Sequence, residues 1–421
     1  MRLRRRAWLT LAVIAIGAFI VSTSFGLGGS MAAGENGTCL ECHSDAGRLM
    51  SLLSDQEDDG SEDEGGGCAQ APSRPAFLNY FVKATFADSI HGRMGCTACH
   101  SGDSTAEDLE AAHADMTPGG GQCANCHGEI AELHETSLHS TLAGQDRWLR
   151  MRAGTDENWH DLETMRRNDC NTCHGGCSDC HITIPSAVGG GLLSGHEFQG
   201  TPPMEDTCGV CHASRAGNEF MGKINDSIPA DVHFEAGMTC LDCHSEPMHG
   251  DGTAYESRWK VDGLPQCTDC HDALPNDGAM AHNGNHADVS CQSCHGNDYN
   301  NCFSCHSSID DEGEYHRMPD RKEAMFKIGL NTVPDYPYDY VPVRHNPVAR
   351  DSFDFFGENL LPNFDDYPTW KTAAPHNITT VTPQNESCGN CHNNPDVFLM
   401  DDDLDPDDSE ANTDVTIDET P

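Results

Sequence analysis

Cysteine and histidine recur in one fixed spacing: two cysteines three positions apart, with a histidine directly after the second. The run Cys-x-x-Cys-His opens at Cys39, Cys96, Cys123, Cys170, Cys177, Cys208, Cys240, Cys267, Cys291, Cys302 and Cys388. Its second thiols are Cys42, Cys99, Cys126, Cys173, Cys180, Cys211, Cys243, Cys270, Cys294, Cys305 and Cys391. Composition alone predicts about 0.07 such runs in the chain, against the eleven present. They use 22 of the 23 cysteines and leave only Cys68. In a helical turn, residues i, i+3 and i+4 project from one face, so two thiols and an imidazole can meet a single flat partner. This is the attachment signature of c-type haem: the sulfurs bond to the porphyrin edge and the histidine takes an axial position on iron. The cofactor expected is therefore eleven c-type haems. Their proximal iron ligands are His43, His100, His127, His174, His181, His212, His244, His271, His295, His306 and His392.

Thirteen further histidines exceed the eleven that a second axial ligand on every iron would need. The expected distal set is His91, His113, His139, His160, His196, His233, His249, His286, His316, His345 and His376. His134 and His282, which sit close to His139 and His286, are set aside as the surplus. Met94, Met238 and Met248 lie near motifs, but a flexible thioether more often fills a packing gap. Zinc ribbons also use Cys-x-x-Cys pairs. Eleven pairs do not couple into four-cysteine sites without a remainder, and a histidine follows every pair.

The elements that carry these residues read as short. With 41 glycines, 22 prolines and a mean hydropathy of -0.55, the chain predicts short α-helices in a mostly irregular backbone with little β structure. Covalent attachment removes the need for large apolar pockets, so the macrocycles themselves would supply the missing core. The motifs follow one another at 7 to 86 residues, which excludes a solenoid of identical units. Histidines stand shortly before several motifs, as His91 before Cys96, His233 before Cys240 and His286 before Cys291. His139 follows the third motif at the end of a helical-looking stretch.

Four arginines within the first six residues precede an apolar run from Ala7 to Val21 and then small residues to Ala33, the pattern of a secretory signal or an N-terminal membrane anchor. The expected organisation is a signal or anchor over 1–33, haem regions over 34–187 and 188–310, a wrapping segment with the last motif over 311–395, and an acidic disordered tail over 396–421. In the wrapping segment His345 and His376 would anchor the strap. A net charge of -44 excludes nucleic acid as a partner and favours basic redox partners. Part of that charge lies in 55–64 and 401–421, which hold seven and ten carboxylates. Cys68, an odd thiol in an exported chain, would suit an intermolecular disulfide.

From Cys39 to His392 these motifs resemble the multihaem cytochrome c superfamily, which includes small class III cytochromes, outer-surface decahaem and undecahaem cytochromes, and octahaem nitrite and hydroxylamine enzymes. The resemblance implies a haem-packed architecture and electron transfer along closely spaced haems outside the cytoplasm, in the periplasm, at the cell surface or beyond. It implies redox partners such as other cytochromes or a membrane quinol-oxidising complex, and allows self-assembly into a filament. A reductase acting on a nitrogen or sulfur oxyanion at one five-coordinate haem is the alternative. The lysine-bearing motif of the family's nitrite reductases is absent.

Overall fold

The computed structural model describes residues 36–53, 75–117, 119–166, 175–184, 190–223, 227–244, 248–272, 274, 279–282, 284–302, 308–309, 315–316, 321–324, 326–334, 336–346, 348–354 and 356–420. The expected signal or anchor, Cys68, and the motif residues Cys170, Cys173, His174, Cys305 and His306 lie outside them. Cys302 and His316 lie on described strands, with no account of their side chains. Among the described residues no helix is long and apolar enough to cross a membrane.

Contacts divide the chain differently from the sequence blocks: residues 36–40 with 84–117 form one unit, and the described residues of 41–83 and 118–421 form the other. In the smaller unit, Thr38 donates from its backbone N–H and its hydroxyl to the Ser104 carbonyl, at 2.9 and 3.0 Å. The neighbouring Gly37 has φ +45°, and a Cβ there would lie 2.0 Å from that same carbonyl oxygen, so the approach requires glycine. Asp108 caps the turn Leu109–His113 by accepting from the Ala111 N–H.

The larger unit is mostly irregular with short helices, as expected, and has two local cores. In the first, α1 (Ala143–Ala153) and α2 (Asp156–Met165) bury Leu149, Ala153, Leu162 and Met165 against Val348, Phe353, Leu360, Leu361 and Phe364. Thr155 caps α2 by accepting from the Asn158 N–H. The second core is an antiparallel sheet of β1 (Lys327–Leu330), β2 (Tyr340–His345) and β3 (Trp370–Thr372), in that order. Among the described residues two further two-stranded ladders, one pairing four residues per strand and one pairing two, complete the strand content, so β structure is small.

The C-terminal acidic segment differs from its expected disorder. Leu399 and Val415 are 0% and 1% exposed, and Ile417 is buried beside Phe398 and Ile328. Leu330 and Ile417 donate to the carbonyls of Val415 and Leu399, knitting the tail to the sheet edge. Buried Asn412 accepts through Oδ1 from the N–H groups of Thr369 and Trp370 at 2.8 and 3.0 Å. The reason is periodicity that composition conceals: a few apolar anchors among the carboxylates suffice to dock the segment.

Candidate functional site

Each motif needs a single helical turn, and the chain builds such turns locally. The backbone N–H of His100, His127, His212, His244, His271 and His392 donates to the carbonyl of the first cysteine four residues earlier, at 2.9–3.0 Å. The turns Gly37–His43, Cys177–His181 and Cys291–His295 likewise close on their histidines. Three motifs place aspartate directly before the second cysteine, and its carboxylate caps the turn from within. Asp179 accepts from the Gly176 N–H, Asp242 from Thr239 and Asp269 from Gln266, at 2.7–2.8 Å. Cys-x-Asp-Cys-His was a legible signal that the motif count alone passed over.

The larger unit brings motif histidines opposite histidines from elsewhere in the chain. Ring centroids lie 6.2 Å apart for His212 and His139, 6.0 Å for His181 and His249, and 6.0 Å for His271 and His233. They lie 6.4 Å apart for His244 and His376, 6.1 Å for His295 and His282, and 6.0 Å for His392 and His286. Each pair joins one motif histidine to one non-motif histidine. Two imidazoles on opposite sides of one metal, with bonds of about 2 Å and about 1 Å from nitrogen to ring centre, have centroids roughly 6 Å apart. Among the described residues, no three or more histidine, cysteine, aspartate or glutamate side chains gather to hold a bare metal ion. The recurring arrangement is the facing pair, which suits a metal whose other ligands come with a planar group.

Hydrogen bonding sets which nitrogen is available. Nδ1 of His181, His295 and His376 faces the carbonyl oxygens of Gln199, Thr379 and Ala374 at 2.6, 3.0 and 2.7 Å. A carbonyl only accepts, so Nδ1 carries the proton and Nε2 keeps its lone pair. Nδ1 of His43, His100 and His113 meets the carbonyls of Tyr80, Thr117 and Leu109 in the same way. His233 uses Asp231 Oδ1 at 2.8 Å, while the other oxygen of the buried Asp231 accepts from the Ile378 N–H at 2.8 Å. This is the outer-shell pattern that orients histidine ligands of metals. Burial also holds His139, His244, His249 and His376 below the ordinary imidazole value, in the neutral form.

The segment 374–384 positions three of these groups. It supplies His376 itself, whose N–H donates to Glu219, and the Thr379 carbonyl that orients His295. Gln384 donates to the Gly296 carbonyl just beyond that motif. Ser290, ahead of Cys291, donates its N–H to the Tyr340 carbonyl on β2, so the sheet fixes this turn from the other side.

Thiols of successive motifs are also neighbours. In the smaller unit Cys96 is raised to about 11, first by burial and then by Cys39. In the larger unit Cys208 and Cys240 are thiols that share a hydrogen bond, which pulls Cys208 down to about 7 and pushes Cys240 up. Cys267 and Cys291 form a second such pair, with Cys291 pulled down to about 6 and Cys267 pushed up. Burial first raises Cys180, followed by Asp179 and then Cys208; burial first, and then a neighbouring thiol, raises Cys243 beside Cys270 and Cys294 beside Cys391.

Several expected ligands stand differently. His282, set aside in the sequence reading, faces His295. His345, expected as a distal ligand, turns Nε2 to Asp408 at 2.9 Å and Thr369 at 3.2 Å, because the acidic tail docks against β2. Two histidines close before a motif, His233 and His286, face His271 and His392, further along the chain. His160 has a side chain 78% exposed and pairs with Glu163. His196 adopts φ +70° beside Phe198, His91 precedes the turn Gly92–Met94, and His134 ends the helix Gly128–Thr136.

No family model matches this chain, and no solved structure does. It is similar to an uncharacterized protein of Archaeoglobus fulgidus, 34% identical over 70 residues. That match covers 14% of this chain and 24% of the relative, so the chain spans about a quarter of its length.

Proposed function

We propose that this chain is an electron-transfer multihaem cytochrome c that holds eleven covalently attached haems and works outside the cytoplasm. The observation that carries the reading is the set of facing histidine pairs, each made of one Cys-x-x-Cys-His histidine and one histidine from another segment. The residues fit the group: two thiols on one face of a turn for attachment, and two Nε2 lone pairs for the axial positions. Bound haems would supply one-electron iron couples. The distal set becomes His139, His249, His233, His376, His282 and His286 for the motifs at His212, His181, His271, His244, His295 and His392. Of the seven remaining non-motif histidines, His134 and His345 are then the surplus, leaving His91, His113, His160, His196 and His316 for the other five motifs.

The thiol neighbours support an order of attachment points running through the motifs of Cys177, Cys208, Cys240, Cys267, Cys291 and Cys388. Neighbouring attachment turns would put their macrocycles at close range, which is what a conduit needs and a single substrate site does not. The net charge of -44 favours electron donors and acceptors with basic docking faces, other cytochromes or a membrane quinol-oxidising complex among them. Extracellular acceptors and assembly into a filament are compatible with the same arrangement.

The test is a haem count and ligand challenge on protein purified from a host that performs haem attachment. Eleven haems per chain, all low-spin and inert to carbon monoxide when reduced, is the expected result. A haem that is high-spin and binds nitrite or hydroxylamine would replace the conduit with a reductase, and protein free of haem would overturn the reading.

A further inference from the structure

In a chain with 68 acidic and 24 basic residues, four cations gather at one place. Arg344 on β2 and Lys371 on β3 are direct cross-strand partners, an arrangement in which like charges repel. The Lys371 Nζ lies 5.0 Å from the centre of the Trp148 ring, and the Arg152 guanidinium lies 4.3 Å from that same centre. Arg258 donates to the Thr372 carbonyl at 3.3 Å, one residue beyond Lys371. Burial and the three arginines push Lys371 down to about 6, and burial pulls Arg152 down to about 10.

Among the described residues no carboxylate pairs with Lys371 or Arg152. Arg152 is 1% exposed; it donates to the carbonyls of Trp148, Tyr367 and Pro368, and its Nε has no partner. Buried cations are retained where an anion compensates them. Lys371 and Thr372, whose carbonyl Arg258 holds, stand five and four residues before His376, the histidine that faces His244. The cluster therefore borders one histidine pair.

We propose that Arg152, Arg258, Arg344 and Lys371 form a carboxylate-binding site for the propionates of the haem attached at Cys240 and Cys243 and held between His244 and His376. This rests on the haem reading above. Arginine forks and a lysine point charge are suited to carboxylate oxygens. The cluster would neutralise the propionates of this haem and favour its ferrous state, making it a step of raised potential within the ordered series.

The experiment is redox titration of the holoprotein followed by low-spin haem signals, on the parent and on Lys371→Met, Arg344→Gln and Lys223→Met. His376→Ala identifies the relevant haem, because that variant converts it to high-spin. Lys371→Met and Arg344→Gln should each shift the ferric-to-ferrous ratio of this haem toward ferric, about threefold to tenfold at fixed potential, tenfold being 59 mV for one electron. Lys223→Met, at an exposed ion pair with Glu205 outside the cluster, should leave the ratio of this haem unchanged. With all haems present and the His376 haem identified, unchanged ratios in both cluster variants would overturn the site and leave the haem reading standing. Absence of haem would remove both. If added succinate or sulfate shifts this haem in the parent but not in Lys371→Met, the site takes a free anion and the propionate assignment falls.

Discussion

A histidine that donates through Nδ1 has committed its proton, and what it then offers is a lone pair on Nε2. An Nε2 engaged elsewhere sets apart one of the two histidines exchanged between the sequence reading and the structure. His345 spends Nε2 on Asp408 and Thr369, whereas His282 faces His295. His282→Ala is accordingly expected to convert one haem to high-spin, seen in the optical and electron paramagnetic resonance spectra, while His345→Ala leaves every haem low-spin. The opposite pattern would return His345 to the ligand set. Ring orientation adds a finer expectation. The planes of His181 and His249 are 16° apart and those of His139 and His212 are 90° apart. Near-parallel axial imidazoles give rhombic low-spin signals and near-perpendicular ones strongly anisotropic signals, so both classes should appear in the oxidised spectrum.

Elements in this chain are small, and their stability comes from caps and docking more than from helix length. The one-turn motif helices were legible because spacing alone dictates a common face, and the aspartates of Cys-x-Asp-Cys-His explain why such short turns persist. The tail was not legible. Ten carboxylates from 401 to 421 dominate its composition, while docking depends on Leu399, Val415 and Ile417 and on Asn412 beneath β3. Asn412→Ala would leave the buried N–H of Thr369 without its acceptor and is expected to cost about 1–3 kcal/mol. Hydrogen exchange should show the loss at β3 and the tail, and unchanged protection there would contradict the docking. The ion pair of Arg350 and Asp365 acts on the same region and holds the Asp365 carboxyl below the usual carboxylate range. A depressed folded value means the contribution is present above the unfolded value of about 3.9 and is lost as pH falls through the folded value. Melting of Arg350→Gln should thus trail the parent by a small margin, no more than about 1 kcal/mol for so exposed a pair, at neutral pH and converge with it in acid.

At the scale of the whole molecule, pairing is the part that no local reading reaches. His376 comes from a segment that the sequence assigns to wrapping, and it meets a motif more than a hundred residues earlier. His233 and His286 stand beside one motif and face another, so proximity along the chain misdirects the assignment. With the proposed haems bound, the cross-linking would itself be an organising force: each facing pair would tie two segments to one metal and give the chain long-range connections beyond its hydrophobic cores. The motif count and the surplus of histidines carry the proposal of the cofactor, but the partner of each histidine depends on tertiary contacts. The most direct test is anomalous scattering at the iron absorption edge from crystals of the fully loaded protein. Iron is predicted between the rings of His139 and His212, His181 and His249, His233 and His271, His244 and His376, His282 and His295, and His286 and His392. Iron absent from those positions, or zinc among the cysteines instead, would contradict the account.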